Sequence, residues 1–357
     1  MLALRLARGS RPLVQLRRLL VAAASAGTGF LLLYVLAEAV ARPAGSFPRL
    51  LWALVPLAFT VQLAVAVART DPATRPRDGL DAAGLGPVRL GLVAAVSTAI
   101  ACTLGGALAL AAFLHLRGDL TGLPFDGAGA RLLHADRPLP VAAALTLLAL
   151  IPLTASAATA GTARRRTVPA PQTGLPWGIA LTACGLAVEA YAGRGGPGML
   201  AGWSLTAIGL ALAGPGLAYA CGALLQAVRP GGLRLLAGRA LQEEAPRLGA
   251  PLGVLCAVGA GALTALTLRD QGGLLVPLGA LTGPAAALVA LCAAATLLTS
   301  AVEVRQGRAA VREALLGMGA PAKVLRTAAS LRATALVAGC VPLSWGVAQL
   351  TSLALTR

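Results

Sequence analysis

The stretch Leu19–Val40, LLVAAASAGTGFLLLYVLAEAV, runs for twenty-two residues with one charged side chain, Glu38, near its far end. At ~1.5 Å of rise per residue it makes a helix long enough to cross a hydrocarbon core of ~30 Å. A basic head precedes it, with Arg5, Arg8, Arg11, Arg17 and Arg18. The apolar core of a cleaved signal peptide is only ~7–15 residues long, so this run reads as a first transmembrane helix. Eight further runs of spanning length follow, at about 50–68, 91–115, 140–162, 177–193, 199–228, 250–268, 276–300 and 333–354.

Composition points the same way. The 357 residues are 57% hydrophobic and 12% charged, with a mean hydropathy of +0.79. Soluble domains carry roughly 25% charged residues, so this chain lacks the polar surface to cover a globule of its size and needs lipid as its solvent. The expected fold class is an all-α polytopic integral membrane protein, with about nine transmembrane helices in two related units joined by short loops. The bilayer is its first partner.

The net charge of +17 raises nucleic acid as a ligand, but aromatic residues make up only 3% and the arginines fall between apolar runs rather than along one stripe. No nucleic-acid partner is expected. Topology accounts for the arginines better, because basic residues are retained on the cytoplasmic side. With the N-terminus inside, twenty-two of the thirty basic residues fall in cytoplasmic segments, among them Arg69, Arg164, Arg234, Arg305 and Lys323. Omitting or adding one helix would invert every later loop and spoil this bias. The single lysine, Lys323, beside abundant Ala, Gly, Pro and Arg fits a high-GC bacterium, hence a cytoplasmic (inner) membrane. All six cysteines (Cys102, Cys184, Cys221, Cys256, Cys292, Cys340) lie in apolar stretches, where thiols behave as small hydrophobes, so neither a disulfide framework nor a metal site is expected.

Two cytoplasmic stretches share a build: Arg69 to Leu90 (RTDPATRPRDGLDAAGLGPVRL) and Val304 to Leu325 (VRQGRAAVREALLGMGAPAKVL). Aligned on their Gly-x-Gly pairs, Gly84 and Gly86 match Gly317 and Gly319, and Arg75 matches Arg308. Duplicated transmembrane units are common in transporters. In the second stretch Val311, Leu315 and Met318 recur at i, i+4 and i+7, which predicts an amphipathic surface helix. Such a helix suits anionic lipid or a cytoplasmic partner.

The second stretch resembles the FtsX-like permease family, the membrane subunits of the MacB type of ABC transporter. The resemblance rests on Arg312-Glu313-Ala314-Leu315-Leu316-Gly317-Met318-Gly319-Ala320 followed by Lys323 and Arg326; the first stretch keeps only the aliphatic-to-glycine step at Leu80–Gly84. It implies a doubled permease: a first unit at 1–162 with its coupling segment at 69–90, a two-helix linker at 163–248, and a second unit at 249–357 with its coupling segment at 301–332. It also implies a separate ABC ATPase subunit as partner, with Arg75, Gly84, Gly86, Arg308, Arg312, Glu313, Gly317 and Gly319 as contact or hinge residues. Assembly as a homo- or heterodimer stays open. The family pattern gives the second unit four helices, where three runs fit before Arg357. It also often places a large extracytoplasmic domain where Ala41 to Arg49 and Arg269 to Val276 are short connectors.

No phosphate-cradling loop is found: Ala322 and Val324 flank Lys323 where Gly and Ser or Thr are needed. The chain is therefore expected to be no enzyme and to bind no cofactor, with ATP acting through the partner. His115, Asp119, Asp126, His134 and Asp136 cluster in one outer connector, but their spacing fits a solvated polar loop better than a metal site. Glu38 and Glu189 are the ionisable groups within or at the ends of the apolar runs, candidates for an ion pair with Arg42 or Arg194 or for a substrate or proton role. Gly202, Gly209 and Gly216, every seven residues with Ala213 beside them, offer a smooth face for close helix packing, with Pro215 as a kink. Two alternatives stand beside the permease: an ion-gradient-driven transporter using Glu38 or Glu189, and a non-transporting sensor or scaffold.

Overall fold

A computed structural model describes residues 12–44, 46–70, 87–120, 122, 124–164, 174–192, 197–227, 231–269, 279–319 and 321–356. All regular structure among them is helical: α1 (Pro12–Ala41), α2 (Ser46–Thr70), α3 (Pro87–Arg117), α4 (Val141–Arg164), α5 (Gly174–Ala192), α6 (Pro197–Ala227), α7 (Gly232–Arg269), a 3-10 turn (Gly279–Leu281), α8 (Thr282–Gly307), α9 (Ala309–Gly317) and α10 (Ala322–Thr356). Among the described residues nine helices, all but α9, are long and apolar enough to cross a membrane. The chain is an all-α polytopic membrane protein.

Long apolar side chains face outward as readily as inward, as lipid permits. Leu92, Val96, Ile100, Leu104 and Leu108 form an exposed stripe on α3 while Ala94, Ala95, Cys102, Ala109 and Phe113 are buried. Small residues turned inward and leucines turned outward are the pattern of helices whose solvent is as apolar as their own core.

Packing divides the chain into two compact units, 1–166 with 276–296 and 167–275 with 297–357. In the first, α1 is the most enclosed helix, with Leu33 and Val35 buried among Phe113, Ile151 and Ala155. Its buried hydroxyls are satisfied internally: Thr28 and Thr60 lie 2.7 Å apart, and Ser25 donates to the Cys102 carbonyl at 2.8 Å. In lipid the alternative would be an unpaired polar group, which costs several kcal/mol.

The second unit is built on glycine contacts. A Cβ placed on Gly185 would stand 2.6 Å from the Thr206 nitrogen, and one on Gly209 would stand 2.5 Å from the Thr182 nitrogen, so α5 and α6 touch backbone to backbone. The seven-residue glycine pattern of α6 is the cause: Gly202 meets Gly185, Gly209 meets Gly178, and Gly216 lies against Leu175. Pro215 stays inside a continuous α6.

Two helices run well past the apolar runs that announced them. α7 starts at Gly232 rather than near residue 250, continuing through Pro246 and Pro251, and α10 starts at Ala322 rather than near residue 333. Both extensions are polar helix continuous with an apolar crossing.

Candidate functional site

The connector between α8 and α10 holds the helix that the sequence predicts. α9 spans nine residues, Ala309–Gly317, and its backbone closes where the Gly-x-Gly stands. The Met318 N–H donates to the Ala314 carbonyl and the Gly319 N–H to the Leu316 carbonyl, each at 3.0 Å. Gly319 has φ +87, the left-handed conformation that stops a helix and that glycine adopts without steric cost, and Pro321 follows, unable to continue the α9 ladder. A glycine in the left-handed conformation therefore stands between α9 and α10.

The exposed residues of α9 are mixed in character. Val311 is 59% exposed, Leu316 38% and Met318 75%, beside exposed Arg312 and Glu313, with Lys323 and Arg326 exposed on the first turns of α10. A Cβ on Gly317 or Gly319 would meet no atom within 4 Å. This short segment thus leaves both apolar and charged side chains exposed.

Its base is fixed by charge. Arg308, at the α8–α9 junction, lies 2.8 Å from Glu243 Oε2 and 3.1 Å from Glu244 Oε1, and also donates to the Ala240 carbonyl at 3.2 Å. Arg332 of α10 reaches the same Glu244 oxygen at 2.5 Å. Glu244 is 7% exposed and so serves as a buried anion between two guanidinium groups, joining the polar extension of α7, the root of α9 and the start of α10. Because both arginines keep some access to water, loss of Glu244 should cost about 2 kcal/mol, below the ~3–5 kcal/mol of a fully buried pair. Of the candidates, then, Arg308 is engaged within the chain, whereas Arg312, Glu313, Gly317 and Gly319 are open. Arg75, Gly84 and Gly86 lie outside the described residues. Sequence reading passed over Glu243, Glu244 and Arg332. The available signal was an adjacent pair of carboxylates in an arginine-rich connector of a chain with only 13 acidic residues.

The two intramembrane carboxylates differ sharply. Glu38, at the end of α1, is surrounded by bases: Arg42 at 3.2 Å, Arg49 at 3.3 Å and His134 Nε2 at 2.6 Å. The ion pair with Arg42 is the one expected from sequence, and it is joined by partners that only folding supplies. His134 reaches it from the α3–α4 connector with φ +51, and Leu133 beside it is fully buried, so that connector is folded onto the helix ends rather than solvated along its length. The other polar residues there are taken up separately. Arg117 pairs with Asp119 at 3.1 Å and donates to the Arg137 carbonyl, while His115 stands 4.0 Å from Asp126. Among the described residues, no three His, Cys, Asp or Glu side chains come together as metal ligands would.

Glu189, on α5, has no such company. It is 0% exposed, and its Oε1 accepts a hydrogen bond from the Thr206 hydroxyl at 3.1 Å. Thr351 of α10 lies beside the carboxyl, and Oε2 has no hydrogen-bond partner among the described residues. On insertion scales a charge costs roughly 2.5–3.5 kcal/mol at a helix centre and less toward an end, and Glu189 stands in the last turn of α5. Arg194, the partner expected from sequence, lies outside the described residues.

No family model matches the chain, and no curated protein or solved structure matches it either.

Proposed function

We propose that this chain is the membrane permease subunit of an ABC-type transporter in a bacterial inner membrane, moved by a separate ATPase that docks on α9 from the cytoplasm. ATP hydrolysis belongs to that partner, and this chain contributes the path and the moving helices. The single observation that carries the proposal is α9 itself: a nine-residue helix between two spanning helices, with Val311, Leu316 and Met318 exposed beside Arg312 and Glu313. A push on α9 would pass through the Arg308–Glu244–Arg332 contacts into α7 and α10. Gly319 lets the chain turn sharply between the docking helix and α10.

The test is co-purification from detergent extracts. An ATPase subunit should accompany the wild-type chain, and Met318→Glu combined with Arg312→Glu should reduce its recovery about tenfold, since the pair reverses both the apolar and the basic character of the face. Arg308→Gln should leave docking intact while uncoupling ATP hydrolysis from transport in proteoliposomes. Recovery unchanged by the double substitution would reject α9 as the docking surface. A second reading, transport driven by an ion gradient, draws on the burial of Glu189. It requires flux without an ATPase and its loss in Glu189→Gln.

A further inference from the structure

We propose that Glu189 is a proton-binding site within the membrane: its carboxyl is held protonated by the closed packing of α5, α6 and α10, and it releases that proton when the packing opens. The inference needs neither the ATPase nor flux, so it holds or fails under either reading of function.

Among the described residues two elements face the carboxyl. From α6 the Thr206 hydroxyl donates to Oε1 at 3.1 Å, and a Cβ on Gly202 would stand 2.5 Å from Glu189 Cγ, so the α6 backbone closes against the side chain. From α10 Thr351, itself 4% exposed, lies beside the carboxyl. Met199 and Leu355, close in the chain to these residues, form with Leu268 a buried apolar cluster with Trp203 packed on it. Among the described residues no arginine, lysine or histidine pairs with Glu189; the cations elsewhere serve Glu38, Glu243, Glu244, Asp119 and Asp136.

An anion in that position would face two hydroxyls, those of Thr206 and Thr351, and no cation among the described residues, with Oε2 lacking a hydrogen bond. Buried groups of this kind neutralise instead of remaining charged. The neutral acid needs no cation, which fits the surroundings. Deprotonation moves a proton from the carboxyl to water and leaves a carboxylate that must be solvated. Proton release and separation of α6 or α10 from α5 are therefore one event.

The measurement is the infrared spectrum of the full chain in lipid nanodiscs at pH 7.5, isotope-labelled at glutamate. A carbonyl band of a protonated carboxylic acid is expected in wild type and lost in Glu189→Gln. Thr206→Val, which removes the hydroxyl donor without removing the acid, should keep the band and shift it to higher frequency. Raising the pH should abolish the band together with a lengthening of the distance between spin labels on α5 and α6. A wild-type spectrum showing only carboxylate, the result if Arg194 supplies a counter-ion, would overturn the assignment. So would a band that survives Glu189→Gln or ignores Thr206→Val, and band loss at constant label distance would overturn the linkage to opening.

Discussion

Glu244 is the side chain on which the second unit's polar end converges, and its neighbours make its role measurable. Glu244→Gln should lower the unfolding free energy of the detergent-solubilised protein by about 2 kcal/mol, read from denaturant titration. Arg332→Met should cost less, about 1 kcal/mol, because Arg308 still neutralises the carboxylate. The double variant should fall short of the sum, since each change removes the same contact; full additivity would mean that the 2.5 Å approach of Arg332 contributes nothing. Gly319→Ala forces a Cβ into a φ of +87 at a cost of about 1 kcal/mol, although open space surrounds it, so the loss should track backbone strain alone. At this scale the sequence disclosed what is local. Glu38 and Arg42 are one helical turn apart and could be paired on spacing. His134 stands 96 residues from Glu38, and Arg332 stands 88 residues from Glu244, and only the fold brings them together.

Among elements, the contact between α5 and α6 should be the least tolerant. Gly185→Leu places a side chain where even a Cβ would lie 2.6 Å from the Thr206 nitrogen, and the backbones must separate. The expected loss is about 3 kcal/mol, with faster proteolysis of the solubilised protein as an independent readout. Gly106→Ala on α3 is the control: a Cβ there meets nothing within 4 Å, and the change should be neutral or slightly stabilising through helix propensity. Equal losses from the two would show that glycine content, rather than the α5–α6 approach, matters. Element existence was legible because each crossing needs about twenty apolar residues. Element ends were not: hydropathy marks only the apolar part from about residue 250, whereas α7 is helical from Gly232 and runs on through Pro246, which gives up one ladder hydrogen bond. The glycine spacing of α6 was readable as a smooth face, whereas its partner on α5, Gly178 and Gly185, required the structure.

For the whole molecule, the distribution of arginines predicts the orientation. With the native cysteines replaced, Arg312→Cys should react with a membrane-impermeant thiol reagent only from the cytoplasmic side, and Asp136→Cys only from the opposite side. The reverse pattern would invert every assignment of sides. The repeat in sequence and the division in packing describe different things: the first follows two similar arginine-bearing stretches, the second follows which helices share a core, and residues 276–296 pack with the first unit although they lie late in the chain. Sequence similarity between segments cannot report that exchange, because side-chain burial against a distant helix leaves no mark on the spacing of the repeated glycines and arginines.

The 38 residues of α7 amount to about 57 Å of helix against a hydrocarbon thickness of ~30 Å, with Pro246 and Pro251 set where its polar and apolar parts meet. A rod that overhangs its bearing by some tens of ångströms keeps its far arm in a different solvent, and there packing holds it, with Ala237, Leu241 and Ala245 fully enclosed and Glu243 and Glu244 tied to Arg308 and Arg332.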